Sequence, residues 1–300
     1  MRSATYAIAA IGLSILVAGC GQGGPDSSGK LDVVAAENSW GSIAQQLGGN
    51  RVAVTSIITN PASDPHDYEP TSADARTMAG AEMAIVNGIG YDTWASKLIA
   101  ANPTSGRVTL NVGDLVGLKT GDNPHQWYSP ASVQRVIDQI TADYKGADPG
   151  HDAYFERQRA RFESNGLARY KQLIADIRRR YGGVPVGASE SIFAPLAPAL
   201  GLRLITPAGF LDAISEGTEP TASEKATTDQ QIAGKRIKVW VYNSQTATPD
   251  VQQLNDEAGS AGIPVATVTE TLTPAGASFE AWQVRQLARL RAALAKATGR

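Results

Sequence analysis

Residues 152 to 183, DAYFERQRARFESNGLARYKQLIADIRRRYGG, constrain the architecture more than any other stretch of this 300-residue chain. Phe155, Phe162, Tyr170, Ile174, Ile177 and Tyr181 fall at or near helical spacing on a polar, Arg-rich background, and Gly182 and Gly183 stop the pattern. About 30 residues make a helix of roughly 45 Å, long enough to cross two lobes. Gly166 inside it costs about 1 kcal/mol relative to Ala and suits a bend. Before this segment strand and helix alternate: LDVVAA, WGSIAQQLGG, RVAVTSII, SADARTMAGA (capped by Ser72), EMAIVNG and YDTWASKLIAA. After it a second series follows: VPVGAS, APLAPALGL, RIKVWVYN, TPDVQQLNDEAGSAG and IPVATV. Such alternation predicts an α/β protein with parallel or mostly parallel sheets flanked by helices.

The N-terminus decides where such a body works. MRSATYAIAAIGLSILVAGC places Arg2 before an apolar run from about Ala7 to Ala18 and ends in small residues, the pattern of a secretory signal too short for a comfortable membrane span. VAGC resembles the lipobox of bacterial lipoproteins, which implies cleavage before Cys20 and acylation of its thiol. The single cysteine agrees, because an exported chain with one Cys has no disulfide partner within itself. GQGGPDSSG then reads as a flexible tether. The expected organisation is a signal peptide over 1–19 and the lipidated Cys20 with its tether over 20–30. An N-terminal α/β lobe over 31–147, a linking helix over 148–182 and a C-terminal α/β lobe over 183–300 follow. The mature protein is expected at the outer face of the cell membrane, lipid-anchored and monomeric.

Composition narrows the partners. Lys and Arg total 27 against 29 Asp and Glu, a formal net charge of −2 that becomes −3 once Arg2 leaves with the signal. No basic patch recruits nucleic acid. The 42% hydrophobic content suits a globular body, and about 270 residues favour two lobes over one core.

Histidine is scarce, with three in the whole chain, and two share the pattern Pro-His-x-aromatic: His66 in SDPHDYEPT and His125 in DNPHQWYSP. Neither sits in an apolar periodic segment, where a core histidine would be the plain reading. These motifs, with VAAENSWGSIAQQLGG, VAVTSIITNPASDPHDYEPTSAD, MAIVNGIGYDTW and GASESIF in this order around the long helix, resemble the metal-binding solute receptors of bacterial zinc and manganese ABC importers. The resemblance runs from about residue 31 to 295. It implies two α/β lobes joined by one backbone helix, with a single divalent cation held in the cleft by four side chains, two from each lobe.

Carried over by position, the first lobe supplies His66 and His125. Imidazole is a common ligand for first-row metals, and a preceding proline stiffens the loop that presents it. In the second lobe Glu190 of GASESIF stands where some members carry a third histidine, and Glu270 of IPVATVTETLTP stands where an acidic residue, usually Asp, completes the set. The plain alternatives are a helix N-terminal carboxylate for Glu190 and a solvated loop charge for Glu270. His151, at the start of the long helix, reads as a surface residue. Two imidazoles and two carboxylates form an N/O site without thiolate, which leans toward Mn²⁺ or Fe²⁺, whereas the Irving–Williams order keeps Zn²⁺ in contention. No His- and acid-rich loop follows the first motif, which also leans toward manganese or iron.

The resemblance further implies an ABC permease as partner and no enzyme activity. Capture in the cleft would be followed by a small rocking of the second lobe that draws Glu190 and Glu270 away from the histidines. Other classes fit less well. A secreted metal-dependent hydrolase needs an open coordination position and a general base, and there is no HExxH. GASES lacks the last glycine of a nucleophile elbow. A receptor for an organic solute would line its cleft with aromatics such as Trp94, Trp127 and Tyr128. An adhesin role leaves no readable trace.

Overall fold

The computed structural model describes residues 29–61, 66, 68–245 and 248–300. Residues 1–28 lie outside them, so the signal peptide, Cys20 and most of the tether are not among the described residues.

The first lobe contains β1 (Leu31–Glu37), α1 (Asn38–Gly48), β2 (Val52–Ile58), α2 (Ser72–Gly80), β3 (Met83–Val86), α3 (Thr93–Ala101), β4 (Val108–Asn111), α4 (Val112–Val116) and α5 (Pro130–Ala147). Its four strands pair in the order β2-β1-β3-β4, and every pairing is parallel. The last five residues of β1 and all of β3 are buried, as expected for central strands covered by helices on both faces. α2 is capped by Thr71 and not by Ser72: the Thr71 hydroxyl accepts from Asp74 N, while the Asp74 carboxylate accepts from Thr71 N at 2.7 Å.

The connecting segment is helical from Asp152 to Tyr181, with α6 (Asp152–Arg161), a π-helical turn (Phe162–Gly166) and α7 (Ala168–Tyr181). The turn ends at Gly166, where the sequence already weakened the helix. Phe155, Phe162, Tyr170, Ile177 and Tyr181 are buried, and Ile174 packs against the same core from a half-buried position.

The second lobe repeats the plan with β5 (Pro185–Ala188), β6 (Arg203–Leu204), α8 (Ala208–Ser215), α9 (Ala222–Ala233), β7 (Val239–Asn243), α10 (Pro249–Ser260), β8 (Val265–Val268) and α11 (Phe279–Thr298). Its sheet runs β6-β5-β7-β8, also all parallel, so the two sheets share one strand order. The protein is thus α/β with two parallel sheets flanked by helices. APLAPALGL forms consecutive turns, because Pro195 and Pro198 break any helical ladder there. Five helices, α4, α5, α8, α9 and α11, lie where the sequence reading names none. Two carried legible start signals: Ser129 before Pro130 for α5, and a Thr221/Glu224 capping box for α9.

One buried cluster runs from α1 and α5 through α7 to α11, so the lobes share a core along their backs. Polar contacts reinforce it. Tyr128 Oη lies 2.8 Å from the Thr269 carbonyl and 2.7 Å from Gln286 Oε1, its one proton shared between these two acceptors, Leu272 N donates to Asn38 Oδ1 (3.2 Å), and Phe279 N donates to Ser42 Oγ (2.9 Å). The segment between β8 and α11 is therefore held by the first lobe as well as by its own. Among the described residues no helix is long and apolar enough to cross a membrane.

Candidate metal centre

In open parallel sheets, ligand-binding side chains collect beyond the carboxyl ends of the strands, near the point where the strand order reverses. All four candidate ligands obey this rule. His66 follows β2, His125 lies between α4 and α5 beyond β4, Glu190 follows β5 and Glu270 follows β8. Residues far apart in sequence, from beyond the strand ends of both sheets, therefore meet.

The structure brings His66, His125 and Glu270 together: one ligand atom from each lies within 4.8 Å of the others. Glu270 Oε2 is 3.4 Å from His66 Nε2 and 3.8 Å from His125 Nε2. Two ligands bound at about 2.1 Å to a tetrahedral ion stand about 3.4 Å apart, so this spacing suits a shared cation. Glu190 is fully buried but is not a member of that trio. Its link to the trio is Asn243, the last residue of β7, whose Nδ2 donates to Glu190 Oε1 at 2.6 Å and to Glu270 Oε1 at 2.9 Å.

Each ligand is oriented from behind. His125 Nδ1 lies 3.1 Å from Asn123 Oδ1, which cannot donate, so the ring proton sits on Nδ1 and Nε2 offers its lone pair to the cleft. Asn123 also accepts from His125 N (3.0 Å) and donates to the Ser191 carbonyl (2.8 Å), tying the loop of one histidine to the loop of Glu190. Trp127 packs edge-on against His125 at 5.5 Å, and Tyr91 packs edge-on against His66 at 4.8 Å. Glu270 is held at its backbone N by Gln245 Oε1 (2.6 Å) and at Oε2 by the Tyr91 hydroxyl (2.7 Å).

Burial pushes the His125 imidazolium down to about 3; the nearby Glu270 carboxylate opposes this and His66 adds to it. The ring is therefore neutral at physiological pH, the state a metal needs. Burial also opposes ionisation of Glu270, but its contacts with His66, His125 and Tyr91 together outweigh burial and hold the carboxyl below its ordinary range. The arrangement presents a neutral His125 nitrogen and an ionised Glu270 oxygen to a cation.

Sequence reasoning did not find Asn243, Tyr91, Asn123 or Gln245. Asn243 closes the run VWVYN at a strand end facing the cleft, a position whose polarity against four preceding nonpolar residues was the available signal. His151 makes a 2.7 Å contact with Asp148 at one end of the long helix, outside the trio. Trp127 and Tyr128 are buried in the core, and Trp94 packs against Tyr68, so none is available to line a cleft for an organic solute. The opening above His66 and Tyr91 measures about 270 Å³ and is rimmed by Asp122, Asp212 and Glu216. A larger groove of about 920 Å³ between α9 and α10 touches none of the candidate ligands.

Comparison with known proteins follows the same direction. The chain is 28% identical over 273 residues to the iron-binding protein YfeA of Yersinia pestis, covering 86% of this chain and 84% of that one. It is 24% identical over 269 residues to the high-affinity zinc uptake system protein ZnuA of Bacillus subtilis, covering 82% of each. Its fold matches a Mn-bound periplasmic metal binding protein from Candidatus Liberibacter asiaticus with a TM-score of 0.71 at 18% identity, covering 88% of this chain and all of that one. Residues 33–293 match the family described as zinc-uptake complex component A, periplasmic, and the chain belongs to that family.

Proposed function

We propose that this protein captures one divalent transition metal ion (Zn²⁺, Mn²⁺ or Fe²⁺) in the cleft between its lobes and hands it to the permease of an ABC importer, without catalysing a reaction. The observation that carries the reading is the convergence of His66, His125 and Glu270 within 4.8 Å at the strand ends. Relatives described as binding iron and taking up zinc support it. The cargo is a substrate, held by His66, His125 and Glu270 with Glu190 as the fourth donor. Donors that are buried, except for the partly exposed His66, around a small opening favour a bare ion over an organic solute, whose pockets usually start near 300 Å³.

The acidic rim favours cation entry through its field. On release Glu190 and Glu270 withdraw from the histidines, which for Glu270 means breaking the Tyr91 bond. The lobes, 31–147 and 183–300, rock about the helix over 148–182. The segment before residue 29 supplies export and, through acylated Cys20, a tether that keeps a monomeric receptor beside its permease on the outer face of the membrane. Mass spectrometry of the mature N-terminus tests the anchor, with an acylated Cys20 expected and an unmodified thiol counting against it.

Calorimetric titration of the metal-stripped protein with Zn²⁺ and, separately, Mn²⁺ tests the reading. One-to-one binding of either ion at micromolar affinity or tighter is expected. Silence from both ions would remove the reading.

A further inference from the structure

The Asn243 side chain sits between the two carboxylates of the candidate cage and is itself fixed on every side. Its backbone N donates to Ser189 Oγ at 3.0 Å, and its Oδ1 accepts from Gln245 N at 3.1 Å, which assigns Nδ2 to the carboxylate side. That nitrogen has two hydrogens, and it lies 2.6 Å from Glu190 Oε1 and 2.9 Å from Glu270 Oε1. It is fully buried at the end of β7, so no rotation frees it without breaking the Gln245 contact.

Deepening the receptor reading above, we propose that Asn243 is a specificity-determining residue: by holding Oε1 of both Glu190 and Glu270 on one fixed amide it orients each carboxylate to offer the cargo its other oxygen alone, and so sets the cargo's coordination number at four. A cation seeking a second bond from either carboxylate would have to approach Oε1 against the positive end of the Asn243 amide. Glu270 Oε2, by contrast, already faces both histidine Nε2 atoms. Two imidazoles and two one-oxygen carboxylates make a four-donor N₂O₂ set. Zinc, without a d-electron preference, is at home in four-coordinate tetrahedral sites, whereas manganese favours six oxygen-rich ligands. Asn243 thereby turns a donor set that by composition leans toward manganese into one that prefers zinc. A neutral amide also does this without adding charge, so the two carboxylates keep their full attraction for a divalent ion.

The test uses the metal-stripped full-length protein, Asn243→Ala and the milder Asn243→Ser, each loaded with Co²⁺ and titrated in competition with Zn²⁺ and Mn²⁺. The parent should show the intense visible absorption of tetrahedral Co²⁺. Both variants should show the weak bands of five- or six-coordinate Co²⁺, and their preference for Zn²⁺ over Mn²⁺ should fall by about tenfold or more, the scale at which groups behind metal ligands act. A side chain with a merely structural role would lower affinity for both ions together and leave the spectrum unchanged, and that result overturns the proposal. Weak six-coordinate bands in the parent overturn it as well and leave the receptor reading intact. Failure of Co²⁺, Zn²⁺ and Mn²⁺ to bind the parent at all overturns both. If neither variant folds, the parent spectrum alone decides.

Discussion

Tyr91, on the loop after β3, donates its hydroxyl proton to Glu270 Oε2 at 2.7 Å across the cleft, so a side chain of the first lobe holds an acidic side chain of the second in place beside the two histidines. Glu270 thus serves both as a candidate ligand and as the point where the lobes are latched. This contact bears directly on how the cleft would open.

Tyr91→Phe keeps the ring that packs on His66 and removes only the donor. A hydrogen bond to a charged acceptor contributes about 1.5–3 kcal/mol. Metal affinity is expected to fall by about tenfold. Calorimetry on parent and variant reads this, and an unchanged affinity would mean that the latch does not orient Glu270.

The two histidines should separate on substitution. His125 is wholly buried among Trp127, Tyr91 and His66, so His125→Ala leaves a cavity and is expected to cost the metal-free protein about 2 kcal/mol or more. The His66 side chain is 22% exposed, and His66→Ala should lower the metal-free melting temperature less than His125→Ala does. Both variants should lose the rise in melting temperature that Zn²⁺ gives the parent. Scanning calorimetry with and without the ion reads both effects, and a retained rise in either variant removes that histidine from the ligand set.

Behind the site Glu37 and Asp92, both buried, form a pair of carboxyls in contact. Burial first, then the charge and hydrogen bond of Asp92, hold the Glu37 carboxyl well above its ordinary 4.5. The folded protein therefore keeps a proton that the unfolded chain has released, and stability contributed at low pH is lost as pH rises from about 4.5 through the folded value. Glu37→Gln removes this loss. Urea denaturation from about pH 5 to about pH 9 should show the variant gaining stability on the parent as pH rises. Parallel curves would show that Glu37 ionises normally.

Gly187 is fixed by packing. A Cβ there would lie 2.8 Å from Trp240 Cε3 and 2.9 Å from Ile237 Cδ1, inside the core of the second lobe. Gly187→Ala should cost about 1–3 kcal/mol in urea denaturation through overpacking. No loss would mean that Trp240 can shift to make room.

The local pattern of the chain was enough to determine the alternation of strands and helices, the long helix that ends at Gly182 and the two Pro-His motifs, because each depends on residues a few positions apart. Periodicity read Phe155 and Tyr181 as facing inward, and both are buried. The same local signals missed α11, whose buried residues make sense only against α7, the sheet of its own lobe and α1, all distant in sequence or on other elements. Distances between side chains from different strands depend on how two sheets and a shared core settle against each other, and no short window of sequence contains that information. Tertiary structure alone therefore decided that Glu270 stands beside both histidines while Glu190 reaches them through Asn243. It also decided that the segment bearing Glu270 is bonded to the first lobe by Tyr91, Tyr128 and Asn38, since only the packed core brings β8 and α1 within hydrogen-bonding reach.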